Sequence, residues 1–174
     1  ITQAGIQGAV LVEEVRRKLK ENPDICVVLV TSPTYEGVVS DIEAISAAVH
    51  EYGIPLLVDE AHGAHFGFHP AFPQTAVRLG ADAVIQSMHK VLPSLTQTAL
   101  LHLNSDYILP ETVQKYLSVY ETSSPSYVLM AGMEKCIRLL KEKGEALFDA
   151  YAARLLKFYN ETKQLKKLHV IQRK

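Results

Sequence analysis

Residues 82–95, DAVIQSMHKVLPSL, end an apolar run in Gln86-Ser87 and then set His89 beside Lys90. A lone lysine at a strand end is ordinarily a surface residue, because lysine is almost never fully buried unless paired. Two other segments weigh against that reading here. TSPTYEG follows the apolar run ICVVLV, and EAHGAH follows IPLLVD. If the three runs are parallel strands, their exits share one rim. That rim collects Ser32, Thr34, Tyr35, Asp59, His62, Ser87, His89 and Lys90. Ligands of open parallel sheets bind outside the carboxyl ends of the strands. An acid, hydroxyls, two histidines and a lysine on one edge can do chemistry. A lysine amine that loses its proton adds to an aldehyde as a Schiff base, and a carboxylate can keep a ring nitrogen protonated.

The elements that must position these groups follow from periodicity. VLVEEVRRKLK (10–20) has apolar positions at 11, 12, 15 and 19 and predicts a helix, broken by NPD. ICVVLV (25–30) predicts a strand buried on both faces. Asp41 is placed to cap a helix over IEAISAAVHEY, closed by Gly53. IPLLVD (54–59) is a second strand, QTAVRLG a short helix ended by Gly80, DAVIQS a third strand and TALLHL (98–103) a fourth. This alternation predicts an α/β domain, a mostly parallel sheet with helices on both faces and right-handed crossovers. Beyond residue 110 the pattern is helical, as PETVQKYLSVYE, a break at TSSPSY, and a run from about 127 to 164. LHVIQRK is a candidate start of one more strand.

Composition narrows the function classes. The chain has 174 residues, 48% hydrophobic and 21% charged, with a net charge of −1. That suits one domain, or one plus a fragment, and gives no overall field toward nucleic acid or an anionic membrane. The basic end KQLKKLHVIQRK reads as the solvated face of a helix and its continuation. Cys26 and Cys136 form neither a CxxC pair nor a disulfide framework. Both are expected to be inert core positions in a cytoplasmic protein. No apolar stretch has the length of a membrane span. The start, ITQAGIQGAV, has no signal-peptide pattern and no initiator methionine, so the chain is expected to begin inside a longer protein.

Asp59 and Lys90 fit the two demands of pyridoxal 5′-phosphate, an acid for the pyridine nitrogen and an amine for the aldehyde. Ser87 and His89 are placed to bind its phosphate by hydrogen bond or charge. SMHK after an apolar strand, VDEAHGAHFGFH, TSPTYEG and the later TSSPSY resemble the Orn/Lys/Arg decarboxylase family of fold type I pyridoxal-phosphate enzymes. The resemblance runs through nearly the whole chain but covers only part of the family's length. It implies that Lys90 is the internal aldimine lysine, Asp59 pairs with N1, and Ala61 packs on one ring face. It implies further that His62 lies near ring or substrate, that Ser87 and His89 contact the phosphate, and that His89 takes part in proton transfer. Thr34 would approach the 3-oxygen, and Thr122 and Ser123 would reach the phosphate of a neighbouring subunit. The expected activity is decarboxylation of arginine, lysine or ornithine by a homodimer or higher oligomer. The expected domain division is 1–145 for the C-terminal portion of the cofactor-binding large domain and 146–174 for a linking helix and the start of a small domain.

Alternatives have their own residues. Another fold type I enzyme, an aminotransferase or an acyl-CoA-condensing synthase, would use the same lysine and acid. An inactive fragment is a further possibility. His62, His65 and His69 with Asp59 and Glu60 could ligate zinc for a hydrolase, but Gly and Pro interrupt the helix that would align i and i+4 ligands, and no metal is expected. His65 and His69 read as structural. DEAH also matches the magnesium-binding strand end of some helicases, but the phosphate loop GxxxxGK[ST] is missing from these residues.

Overall fold

A computed structural model describes residues 5–168, 170 and 171. Helix α1 (Val12–Glu21) has Glu13 and Glu14 in its first turn and Lys18 and Lys20 in its last, which complements the helix dipole. It buries Val15 and Leu19. Helix α2 (Ile42–His50) starts where the Asp41 carboxylate accepts from the Ala44 N–H at 3.1 Å, as the sequence predicts. Gly53, at φ +68°, turns the chain out of the helix. An exposed Arg16–Glu51 ion pair joins the two helices.

Strands β1 (Val28–Thr31), β2 (Leu56–Asp59), β3 (Ala83–Ser87) and β4 (Ala99–Leu103) form one sheet in that order. β1, β2 and β3 are parallel, and β4 returns antiparallel to β3. The sheet is mostly parallel, as expected. Val30, Val58 and Val84 lie side by side on one face and join Val15, Leu19, Ile45 and Val49 in the core. α1 and α2 therefore cover that face. Side chains alternate along a strand, so Leu29, Asp59, Ile85 and Leu101 lie on the other. Leu29 is 64% exposed and Ile85 and Leu101 are each 41% exposed. β1 was expected to be buried on both faces; it begins three residues later than expected and only its inner face is covered. Cys26, just before it, is exposed rather than a core position, whereas Cys136 is buried.

QTAVRLG forms hydrogen-bonded turns, with Leu79 N–H donating to Thr75 O, rather than a full helix. A four-residue helix, α3 (Met88–Val91), follows β3 directly. Helices α4 (Pro110–Tyr120) and α5 (Tyr127–Thr162) match the expected helical half. α5 docks on the loop after β2 through Phe148, whose ring centroid lies 5.6 Å from that of Phe68 and 5.8 Å from that of Phe72. Gly132 lets the helix approach Leu95; a Cβ there would stand 3.0 Å from the leucine Cδ1. Residues 165–168, 170 and 171 form no strand, and the rest of LHVIQRK lies outside the described residues.

At the edge opposite the rim, Asp82 ties three elements together. It accepts from the Leu56 N–H at 2.7 Å, His50 Nε2 at 2.8 Å and Ser105 Oγ at 2.5 Å. Burial alone would raise its carboxyl, but these donors outweigh burial and hold it below the ordinary carboxylate range. The Tyr107 ring stacks on His50 at 5.3 Å.

Candidate active site

Asp59 ends β2 on the open face, paired with Thr31 on one side and Ile85 on the other. Ser87, two residues beyond Ile85, shares that face and lies about 6.6 Å farther along at 3.3 Å per residue. Lys90 follows within α3, exposed. Parallel register thus brings the acid and the hydroxyl to one strip of sheet edge, with Lys90 on the helix that follows directly. No ion pair or side-chain hydrogen bond engages Lys90 or the Ser87 hydroxyl among the described residues. The Asp59 carboxylate accepts from the Ala61 N–H through Oδ1 at 3.0 Å, leaving Oδ2 with its lone pairs.

His89 is half-buried, with Nδ1 2.9 Å from the Thr98 carbonyl oxygen. A carbonyl only accepts, so Nδ1 carries the hydrogen and Nε2 keeps its lone pair in the neutral ring. The same carbonyl receives the Met88 N–H at 3.1 Å, so Thr98 anchors the start of α3. Thr98 is buried and its hydroxyl donates to Leu95 O at 2.7 Å.

The remaining predicted residues lie around this strip. The His62 ring meets Tyr35 edge-on at 5.5 Å, so the loops after β1 and β2 touch. Thr34 is buried, accepts from the Val38 N–H at 3.2 Å, and keeps its hydroxyl hydrogen as a donor. Thr122 and Ser123 are exposed in the elbow between α4 and α5. The Thr122 hydroxyl accepts from the Ser124 N–H within its own turn. Neither Thr122 nor Ser123 bonds to the sheet edge among the described residues.

The histidines of the zinc alternative separate. His69 Nε2 binds Asp149 at 3.0 Å. His65 packs its ring against Phe66 and Phe72, each at 5.0 Å, and burial lowers its pKa below the ordinary histidine value. Glu60 turns to the covered face. Among the described residues no three of His, Cys, Asp and Glu form a metal site.

Sequence reasoning missed three residues that support the strip: Thr98, Gln86 and Glu60. For Glu60 and Gln86 the signal was present, since each stands one residue from a candidate and strand alternation turns it to the opposite face. For Thr98 it was not, because its carbonyl acts and every residue has one.

A family model described as Orn/Lys/Arg decarboxylase, major domain, matches residues 2–173. The arginine decarboxylase of Bacillus subtilis (strain 168) is 37% identical over 161 residues, which cover 92% of this chain and 32% of the relative. The solved structure of the E. coli constitutive lysine decarboxylase is similar with a TM-score of 0.68 and 22% identity, over 90% of this chain and 24% of that one. Mouse CSAD in apo form gives a TM-score of 0.68 at 17% identity, over 95% and 38%. Both structural likenesses speak for the fold. The chain spans about a third or less of the length of the curated relatives it matches.

Proposed function

The chain belongs to the Orn/Lys/Arg decarboxylase family, and from that premise we propose that its sheet edge holds pyridoxal 5′-phosphate and serves the decarboxylation of a basic amino acid: arginine, lysine or ornithine. The observation that carries the reading is the shared open face of Asp59 and Ser87 at adjacent strand ends, with Lys90 exposed on the helix that follows and amine and hydroxyl unengaged. The residues fit the cofactor. When bound, pyridoxal phosphate supplies an aldehyde that condenses with amines and a ring that accepts the electron pair left by departing CO₂.

Each residue then has a task at a stated atom. Lys90 Nζ is the amine that would hold the aldehyde carbon. Asp59 Oδ2 accepts the N1–H and keeps that proton on the ring, while Oδ1 stays fixed by Ala61 N–H. Ala61 would pack on one ring face. His62, backed by Tyr35, stands at the rim near ring or substrate. The Ser87 hydroxyl would donate to the phosphate, and Thr34 O–H to the ring's 3-oxygen.

His89 has two tasks open to it, and both fall to Nε2, because Nδ1–H is held by the Thr98 carbonyl. With a hydrogen on Nε2 the ring would donate to the phosphate, or would deliver the proton that the α-carbon takes up once CO₂ has left. We assign the proton-moving role. Thr122 and Ser123, on an exposed elbow, extend toward the phosphate of a second copy, which makes a homodimer the working unit. The large domain runs to residue 145 and the linking helix and small domain follow.

The test is product formation by the complete polypeptide in which these residues occur. With pyridoxal phosphate added, arginine, lysine and ornithine are supplied separately, and CO₂ and the corresponding amine are quantified. The reading expects stoichiometric CO₂ and amine from one of the three. Keto-acid formation, or no turnover of any of them, contradicts it.

A further inference from the structure

We propose that Glu60 is a positioning residue of this site: a single carboxylate on the covered face that sets the end of β2, at Asp59, against the end of β3, at Ser87. The inference rests on the cofactor role proposed above for the opposite face.

Adjacent strand residues face opposite ways, and Asp59 and Glu60 divide in this manner. Asp59 stands at the open edge; Glu60 is only 2% exposed. Its Oε1 accepts from the Ala76 N–H at 2.8 Å, and its Oε2 from Thr75 Oγ1 at 2.9 Å and Gln86 Nε2 at 2.5 Å. Gln86 immediately precedes Ser87 on β3. Its Oε1 lies 3.0 Å from His102 Nε2 on β4.

With Glu60 ionised, the polarity of this chain of groups follows. A carboxylate accepts and does not donate, so the Gln86 NH₂ must face Glu60. Its carbonyl oxygen must then face His102, which therefore carries its hydrogen on Nε2. One acid thereby orders an amide on β3 and a ring on β4. The backbone of the same pair agrees, with Glu60 N–H donating to Ile85 O at 2.9 Å. Burial raises the Glu60 carboxyl above its ordinary value, against the pull of its three donors, and burial lowers His102.

Removing the acid frees the Gln86 amide to flip, and the next residue along is the Ser87 assigned to the phosphate. A role confined to stability predicts loss of folding alone. A positioning role predicts a change at the cofactor while the fold persists.

The test uses the complete polypeptide as wild type, Glu60→Gln, and Glu60→Gln with Gln86→Glu. Glutamine at 60 keeps the shape but sets NH₂ against NH₂ at Gln86, or turns its oxygen from Ala76. The double variant restores a donor–acceptor pair of reversed polarity, and a carboxylate at 86 still accepts from His102. The readouts are the dissociation constant for pyridoxal phosphate, the visible band at fixed pH, borohydride labelling of Lys90, and the melting point of the cofactor-free form. Glu60→Gln is expected to weaken cofactor binding about tenfold or more and to move the band, with melting changed by a few degrees at most. The double variant should recover most of the affinity. Unchanged affinity and band, or loss that tracks a collapsed melting point without recovery in the double variant, overturns the proposal alone, provided the wild type labels at Lys90. A wild type that does not label at Lys90 overturns the cofactor reading and this proposal with it.

Discussion

His89 Nδ1 and the carbonyl oxygen of Thr98 lie 2.9 Å apart, and this bond settles which nitrogen of the histidine can act. The carbonyl takes the Nδ1 hydrogen and leaves Nε2 as the working atom. His89→Gln keeps a donor for Thr98 but removes the group that would deliver the proton. Turnover at saturating cofactor is expected to fall about 10²-fold or more, with affinity for pyridoxal phosphate nearly unchanged. A variant with normal turnover and weakened cofactor binding would assign the residue to the phosphate instead. Steady-state kinetics at several cofactor concentrations separate the two.

Gly63 is held small by the residue behind Asp59. A Cβ at this position would stand 2.6 Å from Glu60 Cγ and 3.0 Å from two carbons of the Phe66 ring. Glu60 is pinned by three hydrogen bonds and cannot swing aside. Gly63→Ala is therefore expected to cost about 1–3 kcal/mol, the usual range for overpacking. Urea denaturation measures it. In a Glu60→Ala background the same substitution should cost clearly less, because contacting residues couple; an equal cost would place the strain elsewhere.

How far the sequence carried depended on whether a group acts through its side-chain type or its surroundings. Strand exits, turns and the Asp41 cap were legible because apolar runs, Gly and Asp have strong local preferences, and they placed Asp59, Ser87 and Lys90 on one edge. The open face of β1 was not legible. ICVVLV has the run of apolar residues that a doubly covered strand needs, and what covers Leu29 is not encoded in those six residues. Cys26 was misread for the same reason, because it flanks that run. The turn at 75–81 lost the helix its pattern suggested, since Glu60 takes the Ala76 N–H and Asn104 Nδ2 takes the Val77 and Ala81 carbonyls. These long-range partners override a short helical propensity.

Asp82 predicts an acid-sensitive term in stability at the far edge. Its folded pKa lies below the ordinary 3.8. A depressed carboxylate contributes stability that is complete above the unfolded value and is lost as pH falls through the folded one. Asp82→Asn is therefore expected to lower stability by roughly 1.5–3 kcal/mol at pH 7, the worth of hydrogen bonds to a charged group. The gap between wild type and variant should stay level down to about pH 5 and narrow below it. Guanidinium denaturation across this range measures it, and a gap that widens on acidification contradicts the assignment.

The central claim is that Lys90 is the amine that holds the cofactor. The most direct measurement is borohydride reduction of the complete polypeptide loaded with pyridoxal phosphate, followed by peptide mapping, beside a Lys90→Ala variant. The account predicts a single fixed label on the peptide containing Lys90, and none in the variant. A label on another lysine, or no label at saturating cofactor, would contradict it.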